Sequence, residues 1–407
     1  MRELEKAHGG EVVVIGVHSA KFMAEKATEN LREAVVRYQV DHPVINDRDF
    51  AVWNDYAVRA WPTLLFIDPA GRLIAKHEGE ASFEALERFV EQALEEYRAE
   101  GLIDTSRPLP MRVEAISESG LAFPGKIAVD PSGPRLAIAD TNHDRVLVAD
   151  VNGRVERIFA GLSRPQGVSF GGGALWIAET GASSVQRAEV GGGAIERVAG
   201  IGRLAMTRED LAAGALRDPW DVCWLDPFLY IAMAGSHQLW RYDPENRVAA
   251  PWAGTGREGI EDGGIEAAWL AQPSGLATDG QLLFVADSEV SAVRRVDVAA
   301  GSVRTVVGTG LFDFGDRDGP LAEALLQHAI GVAAAPGVVY VADTYNGKVK
   351  RIDLVGERIE TLAEDFGEPG GLALLGNSLY VADTNQHRIR VIDLDTQEVA
   401  TLELTGI

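Results

Sequence analysis

The sequence predicts a mainly β chain in which a partial α/β domain precedes a six-bladed β-propeller. Two observations support this prediction. Between residues 113 and 407, one short apolar phrase recurs six times, at intervals of 39 to 56 residues. In residues 1–99, apolar runs of strand length instead alternate with segments of helical periodicity, as in α/β domains. Residues 100–112 are predicted to link the two parts.

The α/β part is predicted from its apolar runs. The run at 11–17 is typical of a buried strand, and the run at 61–68 predicts a second strand with a hairpin partner at 71–79. A further short strand and three helices complete the expectation. They are predicted at 24–38 (helix), 42–47 (strand), 49–58 (helix) and 82–98 (helix).

Each repeat is predicted to be one propeller blade. The recurring phrase follows a Pro-x-Gly-type run and precedes two further alternating runs, so each unit holds four short strands. Four strands at a period of 40 to 56 residues are typical of a blade, and six blades closed into a ring protect their edges. The phrase ends, in chain order, at Asp140, Glu179, Met233, Asp287, Asp343 and Asp383. We interpret the repeated Asp-Thr as turn chemistry, with side chains that bond N–H groups of the following turn.

Three of the intervals are long because of insertions after the fourth strand of a unit. The insertions span 200–219, 254–273 and 308–328. Each has an Asp before an Ala/Leu-rich run, which predicts a helix N-cap at Asp210, Asp262 and Asp318. Strand direction alternates within a blade, so the insertions and the Asp-Thr turns are expected on one face, where they wall half of the rim. The run "DRDG" at 316–319 lacks the later ligands of a calcium loop, and we expect no metal there.

The third unit departs most from the repeat. Trp220, Asp221, Met233, His237 and Trp240 all break its pattern. They indicate either a degenerate blade that has repacked with bulkier groups or a binding spot at the channel mouth. Cys223 lies in an apolar inner strand and is expected to be a buried small hydrophobe.

The repeats resemble the NHL repeat, whose known domains are six-bladed propellers. "RAWPTLLFIDPAGRL" at 59–73 resembles a thioredoxin-like domain, in which Trp61-Pro62-Thr63 would form the cis-proline strand. Together with "PWDV" and "IAMAGSHQLW" in the third unit, these stretches resemble the NHL-repeat-containing protein 2 family, as a bacterial-type member without the Cys-motif segment. Lacking the strand before that motif, the two neighbouring strands would distort, close on each other, or belong to a protein that starts upstream of Met1. We favour the last.

Composition narrows the possible functions. The net charge of −23 repels phosphate backbones, so no nucleic-acid partner is expected. The apolar runs are too short to span a bilayer, so no membrane association is expected. A single cysteine and a charged N-terminus without a signal-peptide pattern indicate a cytoplasmic protein.

Three functions remain open at this stage. The first is a non-catalytic, redox-inactive binding scaffold without a cofactor, which takes a protein or small-molecule ligand on the insert-bearing face. The candidate binding residues of that face are Trp220, Asp221, Met233, His237, Trp240, Asp262 and Asp318. The second is a thiol–disulfide oxidoreductase whose Cys motif lies upstream of this chain. The third is a metal-dependent propeller hydrolase or lyase, against which the Pro, Gly and Ala at the inner-strand starts argue.

Overall fold

A computed structural model describes residues 2–79, 81–106, 120–205 and 207–407. The chain divides into two compact units, residues 1–115 and residues 116–407. The second part of the predicted linker, residues 107–112, and the start of the predicted propeller at 113–119 lie outside the described residues. The predicted domain boundaries therefore stay predictions, and the two units are described separately.

The first unit is an α/β domain with two separate two-stranded sheets. One sheet pairs Gly16–His18 with Val44–Asn46 in parallel, and the other pairs Thr63–Ile67 with Leu73–Glu78 in antiparallel orientation. Its core forms where Val90 and Leu94 pack with Leu4. Its helices are Arg2–Ala7, Thr28–Arg37, Ala51–Asp55 and Phe83–Ala99, with a 3₁₀ turn at Ala24–Lys26.

The prediction of a buried strand at 11–17 is wrong. The strand is three residues long, and the side chains of Val13, Ile15 and Val17 are exposed. The reason is that this strand does not pair with Thr63–Ile67, so its apolar side chains lack the cover that one continuous sheet would give. The two strands have not closed on each other.

The second unit is a propeller of six antiparallel blades, as predicted. The second strand of every blade is buried along nearly its whole length, as expected of a strand packed between neighbouring sheets. The four strands of each blade, from the channel outward, are Pro124–Val129, Arg135–Asp140, Arg145–Asp150 and Val155–Ala160 in blade one; Pro165–Gly171, Ala174–Glu179, Ser184–Ala188 and Glu196–Ala199 in blade two; Pro219–Leu225, Phe228–Met233, Gln238–Asp243 and Val248–Ala253 in blade three; Pro273–Thr278, Leu282–Asp287, Ala292–Asp297 and Ser302–Val307 in blade four; Gly331–Ala335, Val338–Asp343, Lys348–Asp353 and Arg358–Ala363 in blade five; and Pro369–Leu375, Ser378–Asp383, Arg388–Asp393 and Val399–Leu402 in blade six.

The insertions add little regular structure to this ring. The first contains the helix Arg208–Ala212. The second and third contribute the short outer strands Gly263–Gly264 and Gly319–Pro320, which extend blades four and five to five strands. The six residues that end the recurring phrase each end the second strand of a blade, so the predicted equivalence of these positions is confirmed.

The core of the propeller is divided into layers between blades. Each apolar cluster joins two neighbouring blades, and the layer between blades six and one closes the ring. Near the channel, neighbouring inner strands pack backbone against backbone. A Cβ atom on Gly275 would lie 2.4 Å from the carbonyl oxygen of Ile330, and one on Gly371 would lie 2.5 Å from that of Gly125. Glycine is therefore required at these two positions.

No helix among the described residues is long and apolar enough to cross a membrane.

Candidate functional site on the insert-bearing face of the propeller

The repeated acidic residues anchor loops inside the protein. In five blades, the carboxylate that ends the second strand accepts a hydrogen bond from a backbone N–H of the loop that leads into the same blade. The donors are Ala122, Ser163, Ala271, Gln327 and Gly367, at 2.6 to 2.7 Å. The expected bond to the following turn is thus corrected to a bond to the preceding loop, but the role is structural as proposed.

The hydroxyl group after the acid joins neighbouring blades. Thr141 donates to the carbonyl oxygen of Pro165 at 2.8 Å, which links blade one to blade two. Thr344 makes the same bond to Pro369, and Thr384 closes the ring by donating to Pro124, both at 2.9 Å.

In blades four and five, the same carboxylates also bind a buried cation. Arg294 is fully buried and donates to Asp287 at 3.2 Å and to Asp262 of the second insert at 3.0 Å. The attraction to two carboxylates offsets part of the free energy that this cation loses when it leaves water. Arg294 therefore joins the second insert to blade four.

Lys350 repeats this arrangement in blade five. It is fully buried and lies 3.3 Å from Asp343 of its own blade, and 2.6 and 3.0 Å from Asp316 and Asp318 of the third insert. The neighbouring Lys348 also contacts Asp316, at 2.7 Å. The two blades thus tie their inserts down with the same ionic arrangement.

The predicted N-caps at Asp262 and Asp318 are wrong. Neither residue starts a helix: Asp262 accepts the N–H of Thr305 at 2.8 Å, and Asp318 accepts that of Thr361 at 2.7 Å. The Ala/Leu-rich runs that follow the two residues form turns and not helices. Each carboxylate instead binds the fourth strand of its blade. Their role in the structure is to fasten the inserts.

The first insert is held by hydrogen bonds and an ion pair between its own residues. Its helix Arg208–Ala212 is capped by Thr207, and Asp210 stands at the third helical position, where it completes a capping box and pairs with Arg203. The predicted N-cap at Asp210 is therefore wrong: Thr207 is the N-cap, and Asp210 completes the capping box from the third helical position.

The pKa values of the carboxyl groups in these ionic networks are shifted from their ordinary values. Burial raises the pKa of Asp287 and of Asp343 to about 6, even though Arg294 and Lys350 act in the opposite direction. Burial also acts on Asp262, but the hydrogen bonds from Thr305 and the pair with Arg294 outweigh it and lower its pKa.

Blade three carries an apolar pair in place of the ionic one. Met233 is fully buried where the other blades have an acid. Trp240 pairs with Ile231 as Lys350 pairs with Val341, so it stands at the position of the buried cation. Trp240 is half-buried and packs with Met233 in the layer between blades two and three. Two of the predicted site residues are therefore brought together, as core residues.

His237 is less exceptional than the sequence suggests. It occupies a left-handed turn position that all six blades share, with φ between 43° and 63°, and blade six has His387 there. In blades one, four and six, the side chain at this position accepts an N–H from the next blade, as His387 does from Phe123 at 3.1 Å. In the described part of the chain, Nδ1 of His237 and Oγ of Ser183 are buried without a partner, so the junctions on both sides of blade three lack this bond.

Trp220 and Asp221 lie on the inner strand of blade three. Trp220 is half-buried and is not a member of the cluster around Met233. Asp221 is buried, stands where four other blades have glycine, and accepts the N–H of Leu276 at 2.8 Å.

The counterpart of Asp221 is Lys126, which the sequence analysis did not single out. Lys126 takes the glycine position of blade one and is almost completely buried. Its ammonium group donates to the carbonyl oxygens of Ile330 and Gly370, in blades five and six. The signal was present in the sequence, because "PGKIAV" has lysine where the repeat has glycine.

These two charges act on each other within the ring. Burial raises the pKa of Asp221, and the charge of Lys126 opposes that effect. Burial lowers the pKa of Lys126, and Asp221 opposes that change. Burial also raises the pKa of the Cys223 thiol far above its ordinary range, so this thiol is inert as a nucleophile at neutral pH.

In the first unit, the Trp61–Pro62 peptide bond is cis, as the resemblance implied. Trp61 is about half exposed, and its indole N–H donates to the carbonyl oxygen of Ser19 at 2.8 Å. Its ring lies 4.4 Å from that of Trp53. Thr63 opens the strand and donates to the carbonyl oxygen of Ala60. No cysteine is among the described residues of this unit.

No group of three His, Cys, Asp or Glu side chains is placed to hold a metal ion within the described ranges. Asp316 and Asp318, which the calcium alternative would use, face lysines.

Comparison with known families gives one match in each of the two units. Residues 9–94 match the thioredoxin-like domain family, and residues 366–392 match the NHL repeat. The second match coincides with the inner strands of blade six.

Relatives extend over nearly all of this chain. NHL repeat-containing protein 2 of Gallus gallus is 35% identical over 440 residues, which cover 92% of this chain and 60% of the relative. The human protein of the same name is also 35% identical, with 89% and 59% covered. Protein SUPPRESSOR OF QUENCHING 1, chloroplastic, of Arabidopsis thaliana is 36% identical, with 89% and 39% covered. The chain thus spans 39 to 60% of the length of these curated relatives.

Solved structures support the fold alone. An auxiliary nutrient binding protein of Bacteroides thetaiotaomicron aligns with a TM-score of 0.51 at 13% identity, over 70% of each chain. A chain of the nidogen/laminin complex aligns with a TM-score of 0.50 at 14% identity, over 67% of this chain and 94% of that one.

Proposed function

The chain is a thioredoxin-like and NHL-repeat protein related to NHL repeat-containing protein 2, and we propose that it is a non-catalytic binding scaffold. Its ligand or partner docks on the propeller face that carries the three inserts. The thioredoxin-like unit takes no part in thiol chemistry in this polypeptide. The net charge of −23 supports a partner other than nucleic acid, and the single cysteine supports a cytoplasmic location.

The observation that carries this proposal is the fastening of the inserts by buried charges. Arg294 and Lys350 are both fully buried, and each joins a blade carboxylate to an insert carboxylate. Removing charges from water costs free energy that only good geometry offsets. A surface fixed in this way is pre-organised, and pre-organisation lowers the entropy lost when a partner binds.

The binding residues predicted in the third unit expose less side-chain area to a partner than expected. Met233 is fully buried, and Trp220 and Trp240 are only half-buried. We therefore place the main binding area on the inserts, with Trp220 as its inner boundary near the channel.

A thiol–disulfide oxidoreductase remains the second candidate for a longer protein that contains this chain. Exchange needs an attacking thiolate and a second sulfur to resolve the mixed disulfide. This chain offers one buried thiol, Cys223, in the propeller. We expect it not to accelerate the reduction of insulin by dithiothreitol, and a rate clearly above the uncatalysed one, unchanged in Cys223→Ser, would contradict the redox-inactive assignment.

The binding role is tested by photo-crosslinking on the purified full chain. p-Benzoylphenylalanine is placed singly at exposed insert positions Glu209, Glu266 and Glu323, and at Val355 in a hairpin on the opposite face as the matched control. Each protein is irradiated in a soluble extract of the source organism. We expect shared adducts from the insert positions and none of them from position 355. Adducts that are equally abundant at position 355, or absent from all insert positions, would contradict the proposal.

A further inference from the structure

We infer that Arg295 and Arg304, which face each other on the third and fourth strands of blade four, form a binding site for the carboxylate groups of an acidic segment on a partner protein. The site lies on the side wall of the propeller, and it does not depend on what binds the insert-bearing face.

Blade four differs from the other blades at one pair of facing positions on its third and fourth strands. In the other blades, either an arginine faces a glutamate or at most one of the two residues is charged. These pairs are Val148 with Arg157, Arg187 with Glu196, Arg241 with Ala250, Arg351 with Glu360 and Val391 with Ala400. In blade four, Arg295 faces Arg304. All six pairs lie within the described residues, and blade four alone sets two like charges opposite each other.

The two arginines of blade four have no anionic partner in the described part of the chain. Neither side chain forms an ion pair or a hydrogen bond there. Asp297 lies two residues further along the strand, on the same side of the sheet, but one oxygen of its carboxylate accepts the N–H of Ala300 in the following turn. Arg304 is exposed and Arg295 is half-buried, so a ligand can approach the pair from solvent.

This arrangement favours the binding of a carboxylate. Like charges at directly facing positions destabilise a sheet. A carboxylate between the two guanidinium groups removes that repulsion and accepts charge-assisted hydrogen bonds, which are stronger than neutral ones. Blade five meets the same need internally, because Glu360 lies 3.0 Å from Arg351. In blade four, the carboxylate has to come from outside the sheet.

The strong negative charge of the chain does not prevent such a contact. The net charge is −23, but exposed charges are screened over a Debye length of about 8 Å at physiological ionic strength. Direct contact with two arginines therefore outweighs repulsion by distant acids. Because a glutamate side chain already fits opposite the equivalent arginine of blade five, the partner is a protein segment with exposed Glu or Asp side chains.

The test measures the binding of a fluorescein-labelled, glutamate-rich peptide to the purified full chain by fluorescence anisotropy at low salt. We expect R304E to weaken binding by about tenfold or more, because Arg295 then pairs with a glutamate of its own sheet. The melting temperature of R304E should be no lower than that of the unmodified chain, so the loss is not unfolding. R197E is the matched control, since it makes the same charge change on the fourth strand of blade two, where Arg197 faces Gln186. It should leave binding unchanged.

A second variant separates the arginine pair from net charge. R304E/E360R has the net charge of the unmodified chain and moves the facing arginines to blade five, so it should bind the peptide as the unmodified chain does. Binding no better than that of R304E would overturn the inference, as would equal losses in R304E and R197E or no binding to the unmodified chain. Displacement of the peptide by equimolar inorganic phosphate would show a site for free oxyanions and would also overturn it. Crosslinking from positions 209, 266 and 323 tests the insert-bearing face separately.

Discussion

In blade five the second strand ends on Asp343 and the third strand carries Lys350, whereas the same two positions of blade three hold Met233 and Trp240. Both pairs are largely buried, and both blades contain the same four regular strands, to which the third insert adds a short fifth in blade five. The ionic pair is joined to the insert acids Asp316 and Asp318. Among the described residues, no ion pair links the apolar pair to the first insert, which shares an apolar cluster with it through Leu216 and is closed by its own pair of Arg203 and Asp210.

The difference shows what the repeated acid contributes. A buried ion pair can be exchanged for an apolar pair of similar volume with little change in stability, because the desolvation penalty offsets the attraction. A blade does not need the charge in order to fold. The charge is needed where a loop or an insert must be fixed in one conformation.

The largest effect is expected from Lys350→Met. It leaves the carboxylate of Asp343 buried without its cation and should lower the free energy of unfolding by about 3–5 kcal/mol, as measured by urea denaturation at pH 7. The matched control is Lys348→Met, whose partly exposed pair with Asp316 should be worth at most about 1 kcal/mol. If K350M and K348M are equally destabilising, the ionic anchor is not the source of the effect.

Converting blade five to the chemistry of blade three sharpens the same comparison. D343M/K350W should recover most of the stability lost in K350M, because both members of the pair become apolar together. Its third insert should become more sensitive to proteolysis, since Asp318 loses its cation and Asp316 keeps only Lys348.

For Met233→Asp we expect a slightly smaller decrease in the free energy of unfolding, about 3 kcal/mol. The new carboxylate would be buried beside Trp240 without a cation. The double variant M233D/W240R should regain part of the loss, so a double-mutant cycle should give a favourable coupling energy. Equal and additive losses would show that blade three cannot accept the ionic pair of its neighbours.

Lys126 and Asp221, which replace glycine on the inner strands of blades one and three, offer a second contrast with the other four blades. Lys126→Met should lower the free energy of unfolding by about 2 kcal/mol at pH 7, less than K350M, because Lys350 contacts three carboxylates, whereas Lys126 donates to two carbonyl oxygens and acts on Asp221 through its charge. The pKa of Asp221 is already raised above its ordinary value in the folded protein and should rise further in K126M.

The pH dependence of this cost follows from that shift. A carboxyl group with a raised pKa in the folded state binds its proton more tightly than in the unfolded state, so its contribution becomes more favourable as the pH falls. The destabilisation by K126M should therefore be smaller at pH 5 than at pH 7 in urea denaturation. A loss that is the same at both pH values would mean that Lys126 acts through its hydrogen bonds to Ile330 and Gly370 and its packing, and not through the charge of Asp221. Asp221→Asn at pH 7 is the matched neutral variant.

The smallest effect is expected at the junction between blades six and one. Thr384→Val removes one buried hydrogen bond, to the carbonyl oxygen of Pro124, and should lower the free energy of unfolding by about 1 kcal/mol. Thr401→Val, on an exposed position of the last strand, is the control and should change the melting temperature hardly at all. If both variants behave alike, this hydroxyl does not hold the ring closed.

The repeat allowed the sequence to predict the six blades, and the equivalence of Asp140 through Asp383, because strand ends recur at readable intervals. It could not predict the partner of each acid. A carboxylate at a strand end can bond the turn that follows or the loop that precedes it, and local pattern does not distinguish the two. The left-handed backbone at His237 was hidden for a similar reason, since residues as different as Asp, Ser, Gly and His occupy that position.

Lys126 escaped prediction because its contacts are remote. Its acceptors, Ile330 and Gly370, lie 204 and 244 residues away in sequence. Only the ring brings them together, so a lysine in place of glycine looked like ordinary variation. The apolar run at 11–17 was mispredicted as a buried strand for the opposite reason, because such a run indicates a preference for burial and not whether a neighbouring strand is present to cover it.

The closure of the ring also has a consequence for synthesis. Phe123 and His387 are 264 residues apart, so blade one emerges from the ribosome long before blade six. At typical elongation rates of about 5–20 residues per second, the delay is roughly 15–50 s. Throughout that interval Ile127, Leu136 and Ile138, which later pack against Tyr380 and Ile389, have no neighbour on that side. The nascent chain therefore presents an uncovered apolar sheet for tens of seconds, and its yield in a cell depends on how well chaperones shield blade one.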